Sequence, residues 1–207
     1  MATSGPVIEL RRLERFLRDI ESRYLTPHLQ TQTLRPPSRD EELDVAAFVV
    51  LAHGALENFA EGLAIWIAGR VEANWLKKRR LSRSSASLLL RLKYQADDET
   101  DTSTVFDVLR RALFAAKVER SAAANANNGV TPKHLRSLLA PLGVDLPSDA
   151  TLVASLEGLV STRHEWAHQY RFGAKTPRTA GDMKKIADDC RQFAKQLAAN
   201  VLALRLK

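Results

Sequence analysis

One cysteine in 207 residues leaves little room for several kinds of protein. Cys190 alone can form no intrachain disulfide framework and no cysteine-based zinc site, so it reads as a small side chain on a helix. Glycine and proline are also scarce, at nine and eight, and they gather at boundaries. That speaks against a many-stranded sandwich with its frequent tight turns and suits long helices. No apolar signal-peptide core follows Met1–Pro6, and the longest apolar run, centred on Val45 to Leu51, is far too short to span a bilayer. The expectation is a soluble cytoplasmic protein with no membrane partner. Negative charge is the minority sign, with 24 acidic residues against 31 basic and a formal net charge of +7. This balance favours an anionic partner, nucleic acid first, though charge alone does not separate nucleic-acid binding from a solvated basic surface. The densest basic run is Lys77, Lys78, Arg79, Arg80 and Arg83, with Arg110 and Arg111 in the next segment.

The apolar periodicity is helical throughout. Leu10, Leu13, Leu17, Ile20 and Tyr24 mark a first amphipathic helix over 7–24, ended by Thr26-Pro27 and followed by a polar connector through Arg35-Pro36-Pro37. A second helix from about Asp40 to Arg79 carries Val45, Val49, Ala52, Leu56, Phe59, Leu63, Trp66 and Ile67. Gly54, Gly62 and Gly69 inside it are expected to admit another helix closely. Further helices are expected at about 84–96, 104–120 and after Thr131-Pro132, with an acidic loop at Asp97 to Thr104. Ser148 is expected to cap the helix through residue 168, and a last helix covers about 178–205. No period-two alternation competes. The fold class is all-α, an up-and-down helical bundle, with an N-terminal accessory helix and linker at 1–36 and a helical domain at 37–207.

Residues 163–168, Arg-His-Glu-Trp-Ala-His, admit two chemistries. From His164 the string is H-E-x-x-H, which puts His164 and His168 one helical turn apart as zinc ligands. Such catalytic sites need a third protein ligand. After Glu165 the chain has no further glutamate and no histidine except His168, while Arg171 and Ala174 stand where the longer pattern has Gly and His. From Arg163 the string is Arg-x4-His. That spacing is weak alone, since Arg23 to His28 repeats it at a helix exit. Only the copy at 163–168 places the arginine in phase with an apolar stripe, here Leu152, Leu156, Leu159, Trp166 and Tyr170, where an arginine is unusual unless paired or at an interface.

At this point the chain resembles the HEPN superfamily, within it the RiboL-PSP/MAE-like group. Three features carry the resemblance: Leu159 to His168 as the "Leu…Arg-polar-x-x-Ala-His" helix, Val49 to Phe59 with a central Ala-Leu-Glu before an aromatic, and the order of the helices. It covers roughly residues 40–205. One departure is His164, where active members often carry Asn.

The resemblance implies an all-helical, metal-independent endoribonuclease with no cofactor. Attack of the RNA 2′-OH on its own phosphate needs a proton-transfer group and a cation for the phosphorane. By resemblance His168 is the acid/base, Arg163 the phosphate clamp and His164 an orienting residue. Glu57, and His53 one turn before it, are expected to face them from the long helix. The basic run Lys77, Lys78, Arg79, Arg80 and Arg83 is expected to bind RNA. Also implied are a homodimer with a composite cleft, a neutralising partner protein, and a toxin–antitoxin, defence or RNA-processing role. The alternatives are a non-catalytic HEPN-like dimerisation or RNA- or partner-binding module, and a zinc hydrolase using His164 and His168.

Overall fold

A computed structural model gives the fold and describes residues 5–29, 37–91, 105–126, 129–168 and 178–206. All regular structure among them is helical: α1 (Pro6–Tyr24), α2 (Thr26–Leu29), α3 (Arg39–Lys78), α4 (Arg83–Arg91), α5 (Val105–Asn125), α6 (Pro132–Leu139), α7 (Ala150–His168) and α8 (Ala180–Ala203), with one 3-10 turn at Ala140–Leu142. The expected all-α class is what the chain adopts. The acidic loop expected at Asp97 to Thr104 lies outside the described residues.

Local chemistry sets the helix ends. Ser38 Oγ accepts from the Glu41 amide at the start of α3, and three acidic residues follow in its first turn, where the helix dipole favours them. Thr179 and Asp182 form a reciprocal capping box on α8. The cap of α7 is Asp149 rather than the expected Ser148. Its Oδ1 accepts from the Thr151 and Leu152 amides at 2.9 and 3.2 Å, a reach Ser148, one residue further out, is not positioned to make.

The 40-residue α3 is the axis of the bundle. By length and apolar content it could cross a membrane, yet its apolar side chains are the core itself, with Phe48, Val49, Leu63 and Ile67 fully buried. Neighbours run antiparallel, as their contacts show. Glu9 of α1 lies against Gly62 and Gly5 against Trp66, while His28 bonds Asp44 at the other end. Ser155 of α7 donates to Asp189 of α8 at 2.6 Å, and Gly158 meets Ile186. This is the up-and-down arrangement.

Helix α1 contributes Leu13, Leu17 and Ile20 to the same buried cluster as α3 and α8. Its Glu21 sits between Lys184 and Arg191 of α8. Burial raises the Glu21 carboxyl, but the two cations outweigh it and hold the group below its ordinary value.

The glycines of α3 correct one expectation. A Cβ at Gly62 would meet only the tip of Glu9, and at Gly54 and Gly69 it would meet nothing within 4 Å. Gly54 lies with Leu43 and Val50 on the face of α3 opposite Ala52 and Leu56, and it lines a groove shared with Arg12, Leu13 and Phe16 of α1 rather than a close helix contact. Cys190 is buried, and burial pushes its thiol up to about 12, which leaves it an inert core residue.

Candidate functional site

Helix α7 buries Leu152, Leu156, Leu159 and Thr162 against the bundle. Arg163 continues that face and is half-buried, while His164 points to the exposed edge of the helix. The Arg163 side chain makes no ion pair or hydrogen bond with any described residue. Its charge nevertheless reaches both His53 and Glu57 on α3. The same two groups feel His134, which α6 brings in from a third direction. Three helices thus converge four polar side chains on one spot at the side of α3.

Within this cluster His53 is buried, its Nδ1 4.0 Å from Glu57 Oε2. Glu57 Oε1 is buried without a hydrogen-bond partner among the described residues. Burial, then the charges of Arg163 and His134, hold the His53 imidazole below its ordinary value, so it favours the neutral form. Burial and the nearby Glu61 raise the Glu57 carboxyl, opposed by Arg163 and His134. Arg163 thus stands beside a carboxyl whose charged form burial disfavours, and no described residue pairs with it directly.

The His53 shift has a consequence for stability. A folded-state pKa below the unfolded 6.5 means the unfolded chain takes up the proton first, so this contribution is full above about pH 6.5 and is lost as pH falls through the folded-state value. Glu57 works in the opposite sense, with its contribution full below about pH 4.5 and lost as pH rises through its elevated folded-state pKa. We expect His53→Gln to flatten the loss of stability on acidification below pH 6.5. Urea unfolding of both proteins between pH 5 and 8 measures it, and parallel curves would exclude His53 as the source.

His134 has no counterpart in the sequence reading. It follows Thr131, whose Oγ1 caps its amide at 3.2 Å, and its ring lies over Gly129. A Cβ at Gly129 would come within 2.8 Å of His134 Nδ1, so the glycine is what allows the ring its place. The only sequence signal was a histidine in the first turn of a short helix.

The remaining expected site residues stand apart or outside. His168 ends α7, and its side chain lies outside the described residues, as do the side chain of Ala167 and all of Tyr170. Lys77 and Lys78 close α3, Arg79 takes the left-handed cap at φ 56°, and Arg83 pairs with Asp145 at 3.0 Å. Lys77 is twenty residues beyond Glu57, about 30 Å along the axis at 1.5 Å per residue. The Arg163 cluster therefore sits at the middle of α3 and the basic run at its C-terminal end. Among the described residues no group of three or more His, Cys, Asp or Glu side chains converges as a metal set.

No curated protein and no solved structure matches the chain. The RiboL-PSP-HEPN family model matches residues 15–201, from the middle of α1 almost to the end of α8. With the all-helical order and the α7 motif in place over that whole span, the chain belongs to the RiboL-PSP-HEPN family.

Proposed function

We propose that the protein is a metal-independent endoribonuclease that cuts RNA by attack of a 2′-OH on the adjacent phosphate. The observation that carries this reading is Arg163, half-buried in the apolar face of α7 yet without an ion-pair partner among the described residues. Holding a guanidinium there costs desolvation, and an anionic substrate offsets it. Its planar fork suits two phosphate oxygens, and the charge that builds on them in the phosphorane strengthens both contacts. His168, two residues past Trp166 at the end of α7, is the proton-transfer group, since imidazole works near neutral pH. Glu57 and His53 line the arginine's surroundings with polar groups whose charged forms burial disfavours. His164, on the exposed edge, orients substrate or its neighbour from outside. Lys77, Lys78, Arg79, Arg80 and Arg83 bind flanking RNA phosphates. The cellular setting is toxin–antitoxin, defence or RNA processing, with a neutralising partner protein in the first case.

The test is cleavage of a labelled RNA with and without a strong chelator, beside the same strand with 2′-deoxy residues. Cleavage that survives chelation and fails on the deoxy strand supports the reading. Stoichiometric zinc with activity lost on chelation replaces it with hydrolysis at His164 and His168. A folded protein that binds RNA and never cuts it is a binding module.

The active form is a C2 homodimer built on the open face of α3. Leu43, Val50 and Leu51 are 44%, 50% and 36% exposed, and Gly54 presents bare backbone among them. Val50, His53, Gly54 and Glu57 follow the three- and four-residue spacing of one helix side, so a second copy seated there lies beside the Arg163 cluster. Val50→Asp is expected to give a monomer by light scattering and to lower cleavage at least tenfold, with thermal unfolding unchanged. A Val50→Asp dimer with full activity would place the interface elsewhere.

A further inference from the structure

At the C-terminal end of α3, away from the Arg163 cluster, lies a cavity with a different chemistry. The N-terminal half of α5 runs antiparallel beside the last turns of α3, and between them opens a space of about 590 Å3. Its walls are Glu72 and Leu76 of α3 with Asp107, Arg110, Arg111 and Phe114 of α5. The α5 residues repeat at i, i+3, i+4 and i+7, so they form one face of that helix. Phe114 is 55% exposed and Leu76 46%, although both stand next to core residues that are almost fully buried. An aromatic ring left in water beside two arginines is a surface waiting for a flat, apolar and negatively charged partner.

The charge around the cavity selects the same kind of ligand. Glu72 is paired with Lys117, so its charge is already answered. Leu76 leads directly into Lys77, Lys78, Arg79 and Arg80, whose side chains are exposed. Asp107 offsets one of the two arginines of α5, and the Lys77–Arg80 run leaves the surroundings net positive, with the aromatic ring at their edge. Proteins that hold single-stranded nucleic acid combine these two elements, a basic track for phosphates and a ring on which a base stacks. The volume falls in the range of ligand pockets and accommodates a nucleobase with its sugar.

We propose that this cavity is an exosite for single-stranded RNA, in which Phe114 stacks one unpaired base while Arg110, Arg111 and the Lys77–Arg80 run hold the flanking phosphates. The identity of the polymer as RNA rests on the proposed ribonuclease activity; the stacking and charge do not. Leu76 is nineteen residues from Glu57, about 28 Å along α3. A stacked single strand covers that distance in roughly eight nucleotides at 3.4 Å each. Substrates shorter than this reach the Arg163 cluster or the exosite of one protomer, but not both. The exosite thus selects long, unpaired RNA over short fragments and over duplex, whose bases are already stacked.

The test measures binding apart from cleavage. A fluorescently labelled 20-nucleotide single strand, 2′-O-methylated so that it cannot be cut, is titrated with wild-type protein, Phe114→Ala, Phe114→Trp and the double variant Arg110→Gln/Arg111→Gln. Phe114→Ala is expected to weaken binding about tenfold or more, the worth of one base stack, while Phe114→Trp retains it. The arginine variant is expected to reduce the dependence of affinity on salt. The same strand annealed to its complement should bind more weakly and show no loss with Phe114→Ala. Cleavage of an unmodified 20-mer should lose kcat/KM through KM in Phe114→Ala, and that of a 5-mer should not change. If the wild type cuts no RNA but Phe114 still governs single-strand affinity, the exosite stands and the ribonuclease reading falls. Unchanged single-strand affinity in Phe114→Ala, with the variant folded, overturns the proposal, whether the face then holds a protein partner or nothing.

Discussion

Arg163→Ala should lower kcat for RNA cleavage by about 10²–10³-fold, the usual cost of removing one group that stabilises transition-state charge. The effect falls mainly on kcat because the phosphorane carries more charge than the ground-state phosphate, so the contact strengthens as the reaction proceeds. Arg163→Lys keeps the charge but loses the planar fork, and should recover only part of the activity. His168→Ala should lower kcat by about 10²–10⁴-fold through loss of proton transfer. The double variant should be little worse than the more damaged single one, since the two act on one step. Thermal unfolding is the control. Arg163 has no ion pair among the described residues to lose, so its removal should leave folding nearly intact. Its charge does offset part of the raised Glu57 carboxyl, and the variant should shift that group further toward the protonated form. A fully active Arg163→Ala enzyme would remove the clamp from the mechanism.

The second large effect is on stability. Leu17→Ala should destabilise the protein by about 2–5 kcal/mol, the range for truncating a fully buried leucine. That is a large share of a whole domain's stability, about 5–15 kcal/mol. Leu17 of α1 is fully buried in the core that α1 shares with α3 and α8, where the helices are held by Glu21–Lys184 and His28–Asp44 and collapse poorly around a void. Urea unfolding followed by far-ultraviolet dichroism measures the change, which should appear in the midpoint with the slope unaltered. Removing residues 1–29 should go further and abolish cooperative unfolding, because it uncovers the apolar faces that Leu13, Leu17 and Ile20 fill. A truncated chain that unfolds cooperatively near the wild-type midpoint would make α1 an appendage after all.

Most of the fold was legible in the sequence because helices announce themselves locally. The stripe from Val45 to Trp75 places a helix at 40–79, and α3 runs from Arg39 to Lys78. The final stripe from Met183 to Val201 lies within α8. Helix ends were less secure, since a cap depends on one side chain's reach. Ser148 and Asp149 look equally suited on paper, and only geometry chose Asp149.

The site was legible in part and for a different reason. Arg163 stands out because its position in phase with Leu152, Leu156 and Leu159 is a one-dimensional fact about α7. Glu57 and His53 came from resemblance. His134 did not come at all: it is 29 residues from Arg163, on a short helix whose pattern says nothing about which neighbours it meets. Phe114 was silent too, because periodicity cannot tell a ring that faces solvent from one that faces the core at the edge of a stripe.

The sequence by itself determined the helical class, the order of the helices, the family and the α7 motif, since each depends on spacing along one chain. Tertiary structure alone decided that α6 brings His134 to Glu57 and His53, that α1 shares the core, and that Phe114 meets Leu76 across a cavity. It also separated the basic run from the Arg163 cluster by about half the length of α3. Those facts depend on which helix faces pack together, a choice made by the burial of many side chains at once and written in no single segment.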